Sequence, residues 1–161
     1  MGKVKKFPAL SVRAIVGGKD PQSVIEEFIL RLGHDPDECQ KQKGPDYLRW
    51  MIPLGNEEEL EILLEGMKIA NETTVYMGLN VATVPIRHVS ETIIAAMQIA
   101  DGLVGIKVSL VGHFIVLSAS MPANGMTLEE LEYHHRLITA QREWFQGALV
   151  SELGWEALPE E

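Results

Sequence analysis

The sequence predicts an α+β fold, an antiparallel sheet with helices packed mainly on one of its faces. Three observations predict it. Runs at 47–52, 73–84 and 105–119 are rich in β-favouring and aromatic residues, several alternating with period two. Apolar stripes at helical spacing follow capping residues near both ends of the chain. The 161 residues, 46% apolar and 23% charged, suffice for the core of one ordinary domain and leave little room for a second. Strand runs broken by helices, without a regular β-α alternation, are the pattern of an α+β sheet.

The first helix is expected after Asp20-Pro21, an N-cap followed by a residue suited to the first turn. Val24, Ile25, Phe28, Ile29 and Leu32 then recur on one face up to Gly33. The polar stretch 34–46, with Pro36, Gly44 and Pro45, reads as a loop, and Leu10–Val16 as a short strand or a docked extension. Tyr47–Ile52 reads as a strand closed by Pro53, with Leu48, Trp50 and Ile52 on one face and Tyr47, Arg49 and Met51 on the other. Asn56–Lys68 fits two patterns. Asn56 with Glu59 forms a capping box ahead of Leu60, Leu63, Leu64 and Met67, which favours a helix locally, whereas Leu60, Ile62 and Leu64 also alternate with glutamates as in a solvated strand.

Thr73–Val84 reads as a strand burying Val75, Met77, Leu79 and Val81, with Tyr76, Gly78 and Asn80 opposite. A helix over Arg87–Ala100 places Val89, Ile93, Ala96, Met97 and Ala100 on one stripe. The strands Gly105–Val111 and His113–Ala119 meet at Gly112 as a hairpin, the first burying Ile106, Val108 and Leu110 and leaving Lys107, Ser109 and Val111. A long helix over Thr127–Glu152 opens with a capping box, Thr127 with Glu130, and ends at Gly154. The domain is therefore expected over 21–153, behind a basic extension at 1–20 and ahead of an acidic tail at 154–161.

Charge narrows the partners. Residues 1–50 hold 9 basic and 7 acidic side chains, residues 51–161 hold 5 and 16, and the whole chain has a net charge of −9. So acidic a body repels phosphate backbones, which argues against nucleic acid. No apolar run reaches membrane-spanning length and no secretory signal is visible, so no membrane partner and a cytoplasmic location are expected.

Catalytic and metal motifs are absent. His134 and His135 are adjacent and diverge by about 100° on a helix, and Glu130 with His134 lacks a further ligand cluster, so no metal is expected. Neither a phosphate-binding glycine loop nor a nucleophile elbow occurs, and Cys39 has no local activating partner; no cofactor is expected and the chain reads as a non-enzyme.

The methionines and one strand carry the functional signal. Among six internal methionines, Met77 and Met97 fall on core-facing stripes, and Met51 is the surface candidate. The strand 113–119 is apolar on both faces, Ile115 and Leu117 against Phe114 and Val116. A two-sided strand is usually covered on both sides, and the helices suffice for one, so a second subunit or a bound segment is expected on the other. Tyr47, Met51, Tyr76, Val111 and Val116 are the candidate strip on that face, as a dimer surface or a partner surface.

Val81-Ala82-Thr83-Val84-Pro85, the hairpin with Gly112-His113-Phe114-Ile115-Val116-Leu117, and Met121-Pro122-Ala123-Asn124-Gly125-Met126-Thr127-Leu128-Glu129-Glu130-Leu131 together resemble the YbjN family, with Met126 where leucine is usual. The resemblance covers roughly 20–152. It implies the fold of the class I type III secretion chaperones, α-β-β-β-α-β-β-α, and on that ground Glu58–Lys68 is expected to be a strand against its local helix signal. It also implies a small, acidic, homodimeric protein that binds a protein or peptide partner, in regulation, stress response or secretion, and it brings no catalytic residues. A small-molecule sensor or enzyme with a pocket between sheet and helices, or a structural subunit of a larger assembly, are the alternatives.

Overall fold

Two capping motifs set where the first and last helices begin. In the computed structural model, which describes residues 19–55, 57–67 and 72–153, helix α1 spans Pro21–Arg31. The Asp20 carboxylate accepts the Ser23 backbone N–H at 3.2 Å, and Gly33 ends the turn with φ +88°. Helix α4, Leu128–Leu153, opens on the expected box: the Thr127 N–H donates to Glu130 at 2.8 Å and the Glu130 N–H donates back to the Thr127 hydroxyl at 3.2 Å.

The stretch read as a loop contains two short elements. Asp35 caps helix α2, Pro36–Cys39, and strand β1, Gln40–Lys43, pairs antiparallel with strand β2, Tyr47–Gly55. The four residues Gln-Lys-Gln-Lys show no alternation because β1 is an edge strand with almost nothing to bury. Pro53 does not close β2; the strand runs through it and shifts register between Pro53 and Gly55. The capping residue Asn56 lies outside the described residues, as do Leu10–Val16 and Lys68.

Strand β3, Glu58–Met67, resolves the ambiguous segment in favour of the strand. It pairs on both sides, with β2 and with strand β4, Glu72–Thr83, so its backbone groups are satisfied along both edges, and Leu60, Ile62 and Leu64 all enter the core. After a short 3-10 turn at Ile86–His88 and helix α3, Val89–Ala100, the hairpin of β5 (Lys107–Val111) and β6 (Phe114–Pro122) turns on Gly112 at φ +61°. The six antiparallel strands run in the order β1-β2-β3-β4-β6-β5. All eight elements implied by the resemblance are present, with α2 and β1 added.

The core lies between this sheet and the helices. Aligned registers stack Trp50, Ile62, Met77 and Ala119 in one row and Ile52, Leu60, Leu79 and Leu117 in the next. Opposite them α4 supplies Leu131, Ile138, Phe145 and Leu149, at spacings of seven, seven and four. Helix α4 is also the polar hub. Arg142 pairs with Glu58 at the start of β3, and Gln146 Nε2 donates to the Val81 carbonyl at 2.7 Å, where β4 bulges between Asn80 and Ala82. Gln141 brackets Val104, accepting its N–H at 2.8 Å and donating to its carbonyl at 3.0 Å.

Two core expectations are corrected. Helix α3 buries Thr92, Ala95, Ala96 and Ile99; of the expected stripe Ala96 is buried and Ile93 and Ala100 are half-buried, but Val89 and Met97 are exposed, Met97 to 67%. The small Ala95 and Ala96 form the buried face, which lets α3 sit close to α4 and β5, and the buried Thr92 hydroxyl is satisfied by the His88 carbonyl at 2.7 Å. Leu110, expected inside, is 49% exposed because β5 is the sheet edge and α3 covers it only in part.

Candidate functional site

The helix-free face of the sheet is built by the strand residues that alternate with the core. Register places Met51, Glu61, Gly78, Ser118 and Lys107 in one row across five strands, and Arg49, Leu63, Tyr76 and Ser120 in the neighbouring row. Arg49 Nε stands 2.6 Å from Glu61, so the charges in the middle of this face are matched. Tyr76 lies along its own strand over Gly78, where a Cβ would come within 2.4 Å of the Tyr76 hydroxyl, and it shares a hydrogen bond with Ser118. Burial, with the nearby Glu61 carboxylate, pushes the Tyr76 phenol above its ordinary pKa.

All five residues of the expected strip lie on this face, but they do not form one continuous patch. Tyr47 and Met51 on β2 are separated from Tyr76 on β4 by β3, which contributes Glu61, Leu63 and Glu65. Leu63 completes the apolar link between them. In the sequence Leu63 belongs to the helical stripe of this segment and not to its strand alternation of Leu60, Ile62 and Leu64, so no local pattern marks it as a residue of this face. Val116 is only 4% exposed and backs the surface without presenting contact area. Val111 sits at the far corner, beside Phe114.

Exposed apolar side chains are concentrated in the part of the chain that builds this edge and the helix before it. Among the described residues, seven of the ten large hydrophobic side chains left exposed fall within 89–114, including Ile94, Met97, Leu110, Val111 and Phe114. They belong to α3, the β5–β6 hairpin and the loop between them, and β5 has no strand on its outer side. The opposite edge, β1, is polar. An apolar stretch with an open backbone edge is a surface suited to pairing with another chain.

Two hollows flank these surfaces. One, of about 430 Å³, lies between the last turns of α3 and α4, lined by Ile99, Gly102, Trp144, Ala148 and Glu152 among others. The other, of about 280 Å³, lies by the β1 edge between Met51, Pro53, His34, Glu38 and Cys39. Cys39 is buried, and burial, with Glu38 beside it, pushes its thiol up, which opposes thiolate chemistry. Among the described residues no three His, Cys, Asp or Glu side chains are grouped to hold a metal. His134 Nδ1 instead bonds the Glu130 carbonyl at 2.8 Å, and His135 packs edge-on to Phe28 at the α1–α4 seam, ring centroids 5.6 Å apart. No described helix is long and apolar enough to cross a membrane.

Searches with the sequence against protein-family models and against curated proteins return no match. Solved structures do match. YbjN from E. coli is 15% identical with a TM-score of 0.54, covering 90% of this chain and 98% of that one. The chain has a YbjN-like, type III secretion chaperone-like fold. A chain of the ExsC–ExsE complex is 15% identical at TM-score 0.54, covering 79% of this chain and 91% of its own length. The Yersinia pestis type III secretion chaperone SycH, in complex with a stable fragment of YscM2, gives 11% identity, TM-score 0.52, and coverage of 78% and 98%.

Proposed function

We propose that this chain is a non-catalytic, homodimeric chaperone-like protein that binds an extended segment of a protein partner. The observation that carries the reading is the concentration of exposed apolar side chains beside the open β5 edge, with a second, partly polar surface on the helix-free sheet face. Among the structures it resembles, SycH is a chaperone held with a fragment of another protein and ExsC–ExsE is a two-protein complex, which supports a protein as the ligand.

In this reading the two surfaces divide the work. Ile94, Met97, Leu110 and Val111 join two copies, because nearly pure apolar area is typical of permanent interfaces. Tyr47, Met51 and Tyr76, with Leu63 between them and Val116 beneath, take the partner segment, since half-buried aromatic and methionine side chains beside an Arg–Glu pair suit an interface that must open again. The role is intracellular, in regulation, stress response or secretion.

Analytical ultracentrifugation at micromolar concentration, combined with affinity capture from the native host, tests the division. Val111→Glu is expected to yield a folded monomer. Met51→Glu is expected to keep the dimer and lose the captured partner. A wild-type protein that is strictly monomeric would remove the dimer from this account. Capture undiminished by Met51→Glu would remove the partner surface.

A further inference from the structure

The hollow between α3 and α4 has a chemistry the sheet face lacks. Its floor is Ile99 and Ala148, and its wall is Trp144, half exposed with the ring set against Gly102, where a Cβ would come within 2.6 Å of it. The glycine leaves room for the edge of the indole to lie close to the backbone, and half of the side chain's surface stays open. The last turns of both helices line the hollow, through Gln98 and Ile99 of α3 and Ser151 and Glu152 of α4. The last turn of α3 contains no basic residue, so no side-chain charge offsets the partial negative charge of that helix end. Glu152 adds a carboxylate at the rim, and Asp101 follows directly on α3.

The geometry points to a site for a cationic side chain, an arginine or lysine flanked by apolar residues, on the protein segment this chain binds. An indole ring, a carboxylate and the C-terminal end of α3 are each attractive to a guanidinium or ammonium group, and the apolar floor takes the stem of such a side chain. The charge matches: residues 51–161 carry 16 acidic against 5 basic side chains, and Arg142, on the same helix, is committed to Glu58. The inference rests on the protein-binding reading above and specifies the partner's chemistry.

The probe is a short blocked peptide with arginine between two leucines, compared with the same peptide carrying uncharged citrulline, titrated into the full chain. The Trp144 indole N–H resonance, assigned through Trp144→Phe, is followed by NMR. The arginine peptide is expected to shift that resonance and to bind about tenfold more tightly than its citrulline counterpart, an advantage that Trp144→Ala and Glu152→Gln each reduce and that added salt weakens. Equal affinity for the two peptides, an unmoved Trp144 resonance at saturation, or no binding at millimolar concentration overturns the site. A Trp144 shift produced by Trp155→Ala alone also overturns it, because the chain's own tail would then be the occupant. Met51→Glu separates the two proposals. If it abolishes peptide binding while Trp144 never responds, the groove fails and the sheet-face reading stands; an unchanged Trp144 response in Met51→Glu is the result expected of the groove, and the sheet face is then judged by partner capture alone.

Discussion

The two margins of the sheet are made of opposite materials. At one, β1 presents Gln-Lys-Gln-Lys beside α2, and the neighbouring helix α1 is tied by Lys19–Glu27 at 2.6 Å and to α4 by Arg31–Glu132 at 3.0 Å. At the other, β5 presents Val108, Leu110 and Val111, α3 covers only part of it, and Ile94 and Met97 face outward. A lysine-bearing strand only four residues long gives a neighbouring chain little to pair with, so the β1 margin is protected against association. The β5 margin has a single lysine, Lys107 at its start, and its far end, Leu110-Val111, is exposed and apolar. A protein that seals one edge with charge and leaves the other apolar has a preferred side for contact with other chains, and the difference can be attacked from either end.

The largest effect is expected in the core behind the sealed margin. Trp50, opposite Gln40 and fully buried, should lose about 3–5 kcal/mol on Trp50→Ala, measured by urea denaturation. The same truncation of Leu110 should cost about 1 kcal/mol or less if the β5 edge is free in solution. A cost for Leu110→Ala that approaches the Trp50 value, and that grows with protein concentration, would show that another copy covers this edge.

A second contrast concerns association alone. Val111→Glu should raise the dimer dissociation constant at least about tenfold, since it places a charge in an apolar contact, while monomer stability changes by about 0.5 kcal/mol or less. Gln42→Glu on the β1 edge should leave the sedimentation behaviour unchanged.

The α1 side carries the pH dependence. Burial first, and Arg136 beside it second, hold the His135 imidazole below its ordinary value of 6.5, and its Nε2 is buried without a hydrogen-bond partner. The unfolded chain therefore binds the proton more readily than the folded one. Stability is full above the unfolded value and falls as the pH drops below it, by at most about 1.4 kcal/mol per pH unit. Comparing urea midpoints at pH 7.5 and 5.5 avoids carboxylate titration, and His135→Leu should flatten the change. A midpoint that rises on acidification would contradict the burial of this ring.

The smallest effect is expected at Gly102→Ala. The added methyl meets the far end of the half-exposed Trp144 ring, which can swing away, so stability should change by about 1 kcal/mol or less while the Trp144 indole resonance moves clearly. A loss as large as that of Trp50→Ala would mean that the ring is locked.

Local chemistry was enough to place both capped helices, the β5–β6 hairpin and the alternation of β2 and β4, because each depends on residues within a turn or two of one another. It also sufficed for the acidic balance and for the face on which Tyr47, Met51, Tyr76, Val111 and Val116 lie. Tertiary structure decided the rest. Segment 58–67 satisfied a helical and a strand pattern together, and only pairing with β2 and β4 on both sides selects the strand, by satisfying its backbone along its full length. The phase of α3 was misread because the sequence records which residues are apolar but not how closely a neighbour approaches; Ala95 and Ala96, the smaller side chains, form the close contact, and Met97 faces out. Val116 is buried and Leu110 half exposed for the same reason: alternation tells which face of a strand a side chain takes, whereas its position between the centre and the edge of the sheet decides how much of it water reaches.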